Sequence, residues 1–230
     1  MHPIRSLMLG MTVVAAVAAA QGQARAQDGA VYVVTYVDVM PSSVVSGAAL
    51  LKQYRDASRK EDGSVRVQAL QEIGRPNRLA VVEVWKDKAA RDAHVAAAST
   101  AQFRDKLKAI ANAPYDERIN NGLYVGSAQG QPAKDAIWVL THVDVVPAGK
   151  DDTMALLKGM SADTPKDGGS LRYDVLQQAN RANHFTVAEA WANAEGLDGH
   201  AMAAHTRAFR DKLAPIAGAL YDERFYKELD

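Results

Sequence analysis

The chain has 230 residues and no cysteine, which excludes disulfides, a thiolate nucleophile, Cys-ligated zinc and iron–sulfur clusters. Its 27 basic and 27 acidic side chains balance, leaving no electrostatic footprint for nucleic acid or an anionic membrane. The length fits two small domains, each burying a modest core by packing alone.

The N-terminus reads as an export signal. His2 and Arg5 form a basic start, residues 7–20 are apolar and uncharged, and Ala24-Arg25-Ala26 supplies a small-x-small cleavage pattern before Gln27. The apolar run, about 14 residues, is shorter than the ~20 a spanning helix needs. Residues 1–26 are therefore expected to be removed, leaving a secreted, periplasmic protein with no membrane attachment.

Residues 30–39 alternate Val31, Val33, Thr35, Val37 and Val39 against Tyr32, Val34, Tyr36 and Asp38. That period predicts a strand, apolar enough to be buried on both faces. Pro41 ends it, and residues 44–59 predict a helix with Leu50, Leu51 and Tyr54 inward. Gly63 closes the return loop into strands over 65–73 and 78–85, joined as a hairpin through Gly74, Pro76 and Asn77. An Ala-rich helix follows over 88–98. Thr100 is expected to cap a further helix carrying Phe103, Leu107 and Ile110, before a last strand over 115–124. This is the split βαβ order of ferredoxin-like α+β folds, βαββαβ.

Residues 126–135 are rich in Gly, Gln, Ala and Pro and read as a linker. Beyond them the pattern restarts. Val33-Val34-Thr35-Tyr36-Val37-Asp38-Val39 returns as Val139-Leu140-Thr141-His142-Val143-Asp144-Val145, and Phe103-Arg104-Asp105-Lys106-Leu107 as Phe209-Arg210-Asp211-Lys212-Leu213. Glu83, Trp85 and His94 return as Glu189, Trp191 and His200, always 106 positions on. The expected domains are 27–125 and 136–230. Two copies are too few for a solenoid. A sheet with helices on one face needs its other face covered, and the second copy can supply that cover.

The Glu-Val-Trp end of the third strand, the Ala-rich helix carrying His94, Phe103 and the small-residue turn before Tyr115 together resemble the antibiotic-biosynthesis monooxygenase domain. That group includes quinol monooxygenases and belongs to the dimeric α/β-barrel superfamily. Glu189-Ala190-Trp191 and Gly199-His200 carry the same resemblance through the second copy. It implies an internal barrel, a pseudo-dimer within one chain, where relatives use two chains. It further implies a cofactor-free oxygenase acting with O₂ on a small aromatic or quinol-like molecule. Haem-degrading relatives place a ligand histidine about where Arg104 and Arg210 stand here, and polyketide-tailoring members set Asn and Tyr around the tryptophan, where Val81, Arg91, Val187 and Leu197 stand.

Within that reading His94 and His200 are the candidate bases, since imidazole titrates near neutral pH. Trp85 and Trp191 are candidate stacking walls, sharing a strand face with Glu83 and Glu189. Those glutamates act on substrate or, alternatively, pair with Arg66 and Arg172 on the neighbouring strand. Tyr36 and His142 occupy one repeat position and are candidate substrate contacts, His142 making the second pocket basic. His184 and His205 read as surface residues. His200 and His205 lie five apart, off the helix-face spacing of four, so no metal is expected. The repeated Tyr115-Asp116-Glu117-Arg118 reads as structural. No Gly-x-Gly-x-x-Gly marks a flavin or nicotinamide site, so an oxidised substrate must itself reduce O₂. The competing readings are a non-catalytic periplasmic barrel that binds a small apolar ligand or a partner chain, and a structural protein with no ligand.

Overall fold

In the computed structural model, which describes residues 29–130 and 132–230, the first copy runs β1 (Val31–Asp38), α1 (Val44–Ser58), β2 (Ser64–Glu72), β3 (Arg78–Trp85), α2 (Lys88–Ala96), α3 (Ala98–Lys108) and β4 (Asp116–Val125). The second repeats it as β5 (Ile137–Asp144), α4 (Lys150–Asp163), β6 (Ser170–Gln178), β7 (His184–Trp191), α5 (Ala194–Met202), α6 (Ala204–Leu213) and β8 (Asp222–Glu228). The expected signal peptide and its cleavage point lie outside the described residues. Every element predicted for the first copy forms, with its ends shifted by a residue or two.

One local expectation is corrected. Thr100 does not cap α3, because the chain breaks earlier, at an extended Ala97 with φ −66° and ψ 142°. Thr100 is buried in the first turn of α3 instead.

The two sheets do more than cover each other. β2 pairs with β8 at Leu70↔Glu228, and β4 pairs with β6 at Asn120↔Gln178. The strands thereby close into one antiparallel barrel in the order β1-β3-β2-β8-β5-β7-β6-β4. Each seam joins one copy to the other, so neither copy keeps a free sheet edge. An eight-stranded barrel is just wide enough for side chains to fill. Tyr32, Val34, Val82, Trp138, Leu140 and Tyr226 belong to a single core drawn from both copies.

Strand alternation sends the other residues outward, beneath the helices. Val37, Leu51, Tyr54 and Phe103 form the outer core of the first copy, and Val143, Leu157, Met160 and Phe209 that of the second. The register pairs Glu83 with Val67 and leaves Arg66 opposite Val84. Arg66 therefore faces away from Glu83, which corrects the expected ion pair, and Arg172 is turned likewise, opposite Ala190. Both arginines reach Asp174, at 2.7 Å and 3.4 Å.

Candidate active site

Under the helices of each copy lies a histidine on a tryptophan. The hairpin delivers Glu83 and Trp85 to the outer face of β3. Asp87 then caps α2, its side chain accepting from the Ala90 backbone N–H at 2.8 Å, and the helix ends after nine residues, at Ala96. His94, in the last turn of this helix, lies on the indole, with ring centroids 4.4 Å apart and planes 26° apart. Asn193 repeats the cap on α5, accepting from Gly196 N–H at 3.0 Å. His200 lies on Trp191 at 4.8 Å. Both indoles are fully buried, so each is a wall for the copy's own histidine and not an open stacking face.

In the first copy the histidine belongs to a closed chain of polar groups. Glu61, carried in the turn before Gly63, lies 2.9 Å from His94 Nδ1. The Tyr54 hydroxyl is 2.7 Å from His94 Nε2 and donates to Glu83 Oε1 at 2.7 Å. Burial, more than any other cause, pushes the Glu83 carboxyl above its usual range, against the pull of His94 and Tyr54. Burial and the neighbouring Glu83 push the Tyr54 phenol far up, so it stays protonated. Two proton arrangements satisfy this chain. Either His94 is an imidazolium donating to Glu61 and Tyr54, or Glu83 is protonated and Tyr54 donates to a neutral His94. The Tyr54 hydroxyl is the group through which one converts into the other.

The second copy lacks that link, because Met160 stands where the first has Tyr54. Glu189 takes its hydrogen bond from Trp191 Nε1 at 2.9 Å instead, and burial pushes its carboxyl up to about 8. His200 Nε2 is 4.0 Å from Glu189, and its Nδ1 is 2.7 Å from Asp167, the counterpart of Glu61. Burial lowers the His200 pKa, partly offset by Asp167. His205, expected on the surface, reaches the same Asp167 oxygen at 3.1 Å. The chain break at Ala203, φ −62° and ψ 146°, separates α5 from α6 and turns both imidazoles the same way. A five-residue spacing on a continuous helix would have splayed them.

Tyr36 and His142 do not join either cluster. They meet across the barrel with ring centroids 5.1 Å apart, beside Arg118 and Arg224. Burial, then the Arg118 charge, pushes His142 down to about 4. It is neutral at pH 7, which corrects the expectation that it makes the second copy basic. The repeated Tyr-Asp-Glu-Arg segment has the structural role expected of it. Glu117 accepts from Arg91, Arg104 and Tyr115, and Arg118 crosses to His142 of the other copy at 3.0 Å.

Clefts open near these groups. One of about 140 Å³ lies between α1 and α3, lined by Tyr54, Ser58, Gln102 and Phe103. Tyr54 is the member of the first copy's polar chain that reaches it. A second, of about 460 Å³, is bordered by Asp167, Gly169, Asn193 and His200. A third, mostly apolar and about 300 Å³, runs past Leu213, Leu220 and Tyr221 to His142. Sequence reasoning missed Glu61, Asp167 and the role of Tyr54. The signal available for the acids was a carboxylate at one repeat position in both copies, just before a glycine.

Residues 30–106 and 136–212 each match the model of a family described as antibiotic biosynthesis monooxygenase. Among solved structures, a provisionally assigned monooxygenase from Fusobacterium nucleatum superposes with a TM-score of 0.79 at 15% identity, covering 88% of this chain and 93% of its own. Another from Lactobacillus acidophilus gives 0.72 at 14% identity, covering 88% and 95%. An anthrone oxidase-like protein gives 0.69 at 12% identity, covering 90% and 94%. At such identities the three share its fold. No curated protein matches the chain.

Proposed function

We propose, from the premise that this chain belongs to the antibiotic biosynthesis monooxygenase family, that it oxidises a single-ring phenol or quinol with O₂, and that the first copy carries the proton transfer. The observation that carries this reading is the Glu61–His94–Tyr54–Glu83 chain, one member of which lines a cleft. The cleft suggests the substrate class. A cavity of about 150 Å³ accommodates benzene, so the 140 Å³ cleft has room for one ring.

The substrate ring lies along Phe103 and Tyr54, with its hydroxyl toward the tyrosine oxygen. Tyr54 accepts the phenolic proton as its own passes to neutral His94, which Glu61 stabilises as an imidazolium. The phenolate then gives one electron to O₂, and the radical pair combines at a ring carbon to form a peroxide. The peroxide takes the proton back and loses water, leaving a new carbonyl. One oxygen atom stays in the product and the other leaves as water. A hydroquinone ends as a hydroxyquinone, and the substrate supplies all the electrons. Burial of the cluster keeps bulk water from quenching the ion pair.

The test is oxygen uptake on a panel of single-ring quinols and a tricyclic phenol, with chelator present. His94→Gln and Tyr54→Phe should each lower kcat about 100-fold, within the range for lost general base catalysis. His200→Gln should change it little. Uptake no faster than autoxidation on every substrate, or full activity in His94→Gln, refutes the proposal.

A further inference from the structure

The second copy lacks the tyrosine of the proton chain and carries an imidazole that the first does not. Asp167, His200 and His205 each offer one ligand atom, all within 4.8 Å of one another. Asp167 Oδ2 is 2.7 Å from His200 Nδ1 and 3.1 Å from His205 Nε2. The His205 Nε2 atom is buried and, although 3.1 Å from Asp167, makes no hydrogen bond among the described residues. A buried polar atom left this way is costly unless something else satisfies it. We infer that Asp167, His200 and His205 form a binding site for a divalent first-row transition metal, present in the second copy alone.

Three features support the assignment. The donor set is two imidazoles and one carboxylate, the combination that suits zinc, iron(II) or cobalt(II) and not the oxygen-seeking calcium or magnesium. The His200 ring has polar groups around it, for its opposite nitrogen lies 4.0 Å from Glu189 and Thr206 Oγ1 sits 3.4 Å from both ring nitrogens. Carboxylates and hydroxyls in that position fix the ring of a metal-bound histidine. Access is provided by the cleft of about 460 Å³, which Asp167 and His200 border. With two of its three ligands on that cleft, the site leaves coordination positions for water or a small anionic ligand. The first copy offers Glu61 and His94, but Ser99 stands at the place of His205.

The inference goes beyond the proposed oxidation, and its test reads metal, not turnover. The untagged full chain, stripped with chelator, is titrated with Co²⁺ and with Zn²⁺, following visible absorption for the first and heat for the second. One equivalent per chain should bind, with cobalt bands showing nitrogen and oxygen ligands. His205→Ser installs the residue the first copy already carries, and should raise Kd more than about 100-fold, beyond the loss typical of an outer-shell partner. His205→Gln, which keeps the bulk of the side chain, should behave alike, with the metal-free melting temperature close to that of the parent in at least one of the two. Absence of a saturable equivalent in the parent chain overturns the inference. So does unchanged affinity in both variants. Either result leaves the role of His94 standing.

Discussion

Position 142 shows how a single side chain sets pH dependence. His142 is buried against Tyr36 and the guanidinium of Arg118, whose Nη1 lies 3.0 Å from its ring. Its pKa, about 6.5 in the unfolded chain, falls to about 4 in the barrel. A depressed histidine pKa means that the unfolded chain binds the proton more readily. Stability from this group is therefore complete above pH 6.5 and is lost as pH falls toward 4, by up to roughly 3 kcal/mol. His142→Phe should abolish that part of the acid sensitivity. Urea denaturation at pH 7 and pH 4.5 measures it, and an equal loss in both proteins would show that His142 contributes nothing. The alternation of β1 already placed Tyr36 opposite in parity to Val33 and Thr35. What the sequence could not supply was the pairing Val33↔Glu83, which puts the glutamate on the helix side with Val33 and leaves Tyr36 for the barrel.

Turns and helix breaks decide which groups meet, and here a repeated glycine carries a measurable load. Gly63 and Gly74 both have φ near +80°, a conformation L side chains avoid. A Cβ at Gly74 would meet nothing within 4 Å, whereas one at Gly63 would fall 2.5 Å from the Ala90 Cβ on α2. Gly74→Ala should cost about 1 kcal/mol from backbone strain. Gly63→Ala should cost about 1–3 kcal/mol more, because α2 must move, and that movement should separate Glu61 from His94. Denaturant midpoints of the two variants test the ranking, and equal losses would mean that α2 yields freely. The same level explains why His205 escaped the sequence reading. The boundary expected between residues 98 and 100 corresponds to 204–206 in the second copy, whereas the chain turns earlier, at Ala203, an ordinary helix former, and so carries His205 into α6. By contrast Asp87 and Asn193, each three residues before the N–H it accepts from, are legible caps once the helix start is known.

At the level of the whole chain, the fixed interval of the repeat and the two apolar faces of β1 make a paired, two-copy body readable without coordinates. Closure into one barrel is not, because the seams β2·β8 and β4·β6 join strands from opposite copies and leave no local pattern. Asp174 ties the copies from inside. It is fully buried and takes Arg66 of the first copy and Arg172 of its own. Asp174→Asn would leave two guanidinium groups short of a counter-charge, at a cost of about 3–5 kcal/mol, read as a fall in the denaturation midpoint. A midpoint unchanged by Asp174→Asn would mean that water already serves both arginines. The shared interior makes a stronger demand. Residues 126–135 contain no helix or strand among those described, so a protease site placed there can be cut after folding without touching either seam. The cut halves should stay together in native size-exclusion chromatography, held by two strand seams and a common core. Expressed alone, the first copy would expose Tyr32, Val34 and Val82 together with the free edges of β2 and β4. It should therefore pair with itself or aggregate. A half that runs as a stable monomer would show that the barrel interior is not the core on which both copies depend.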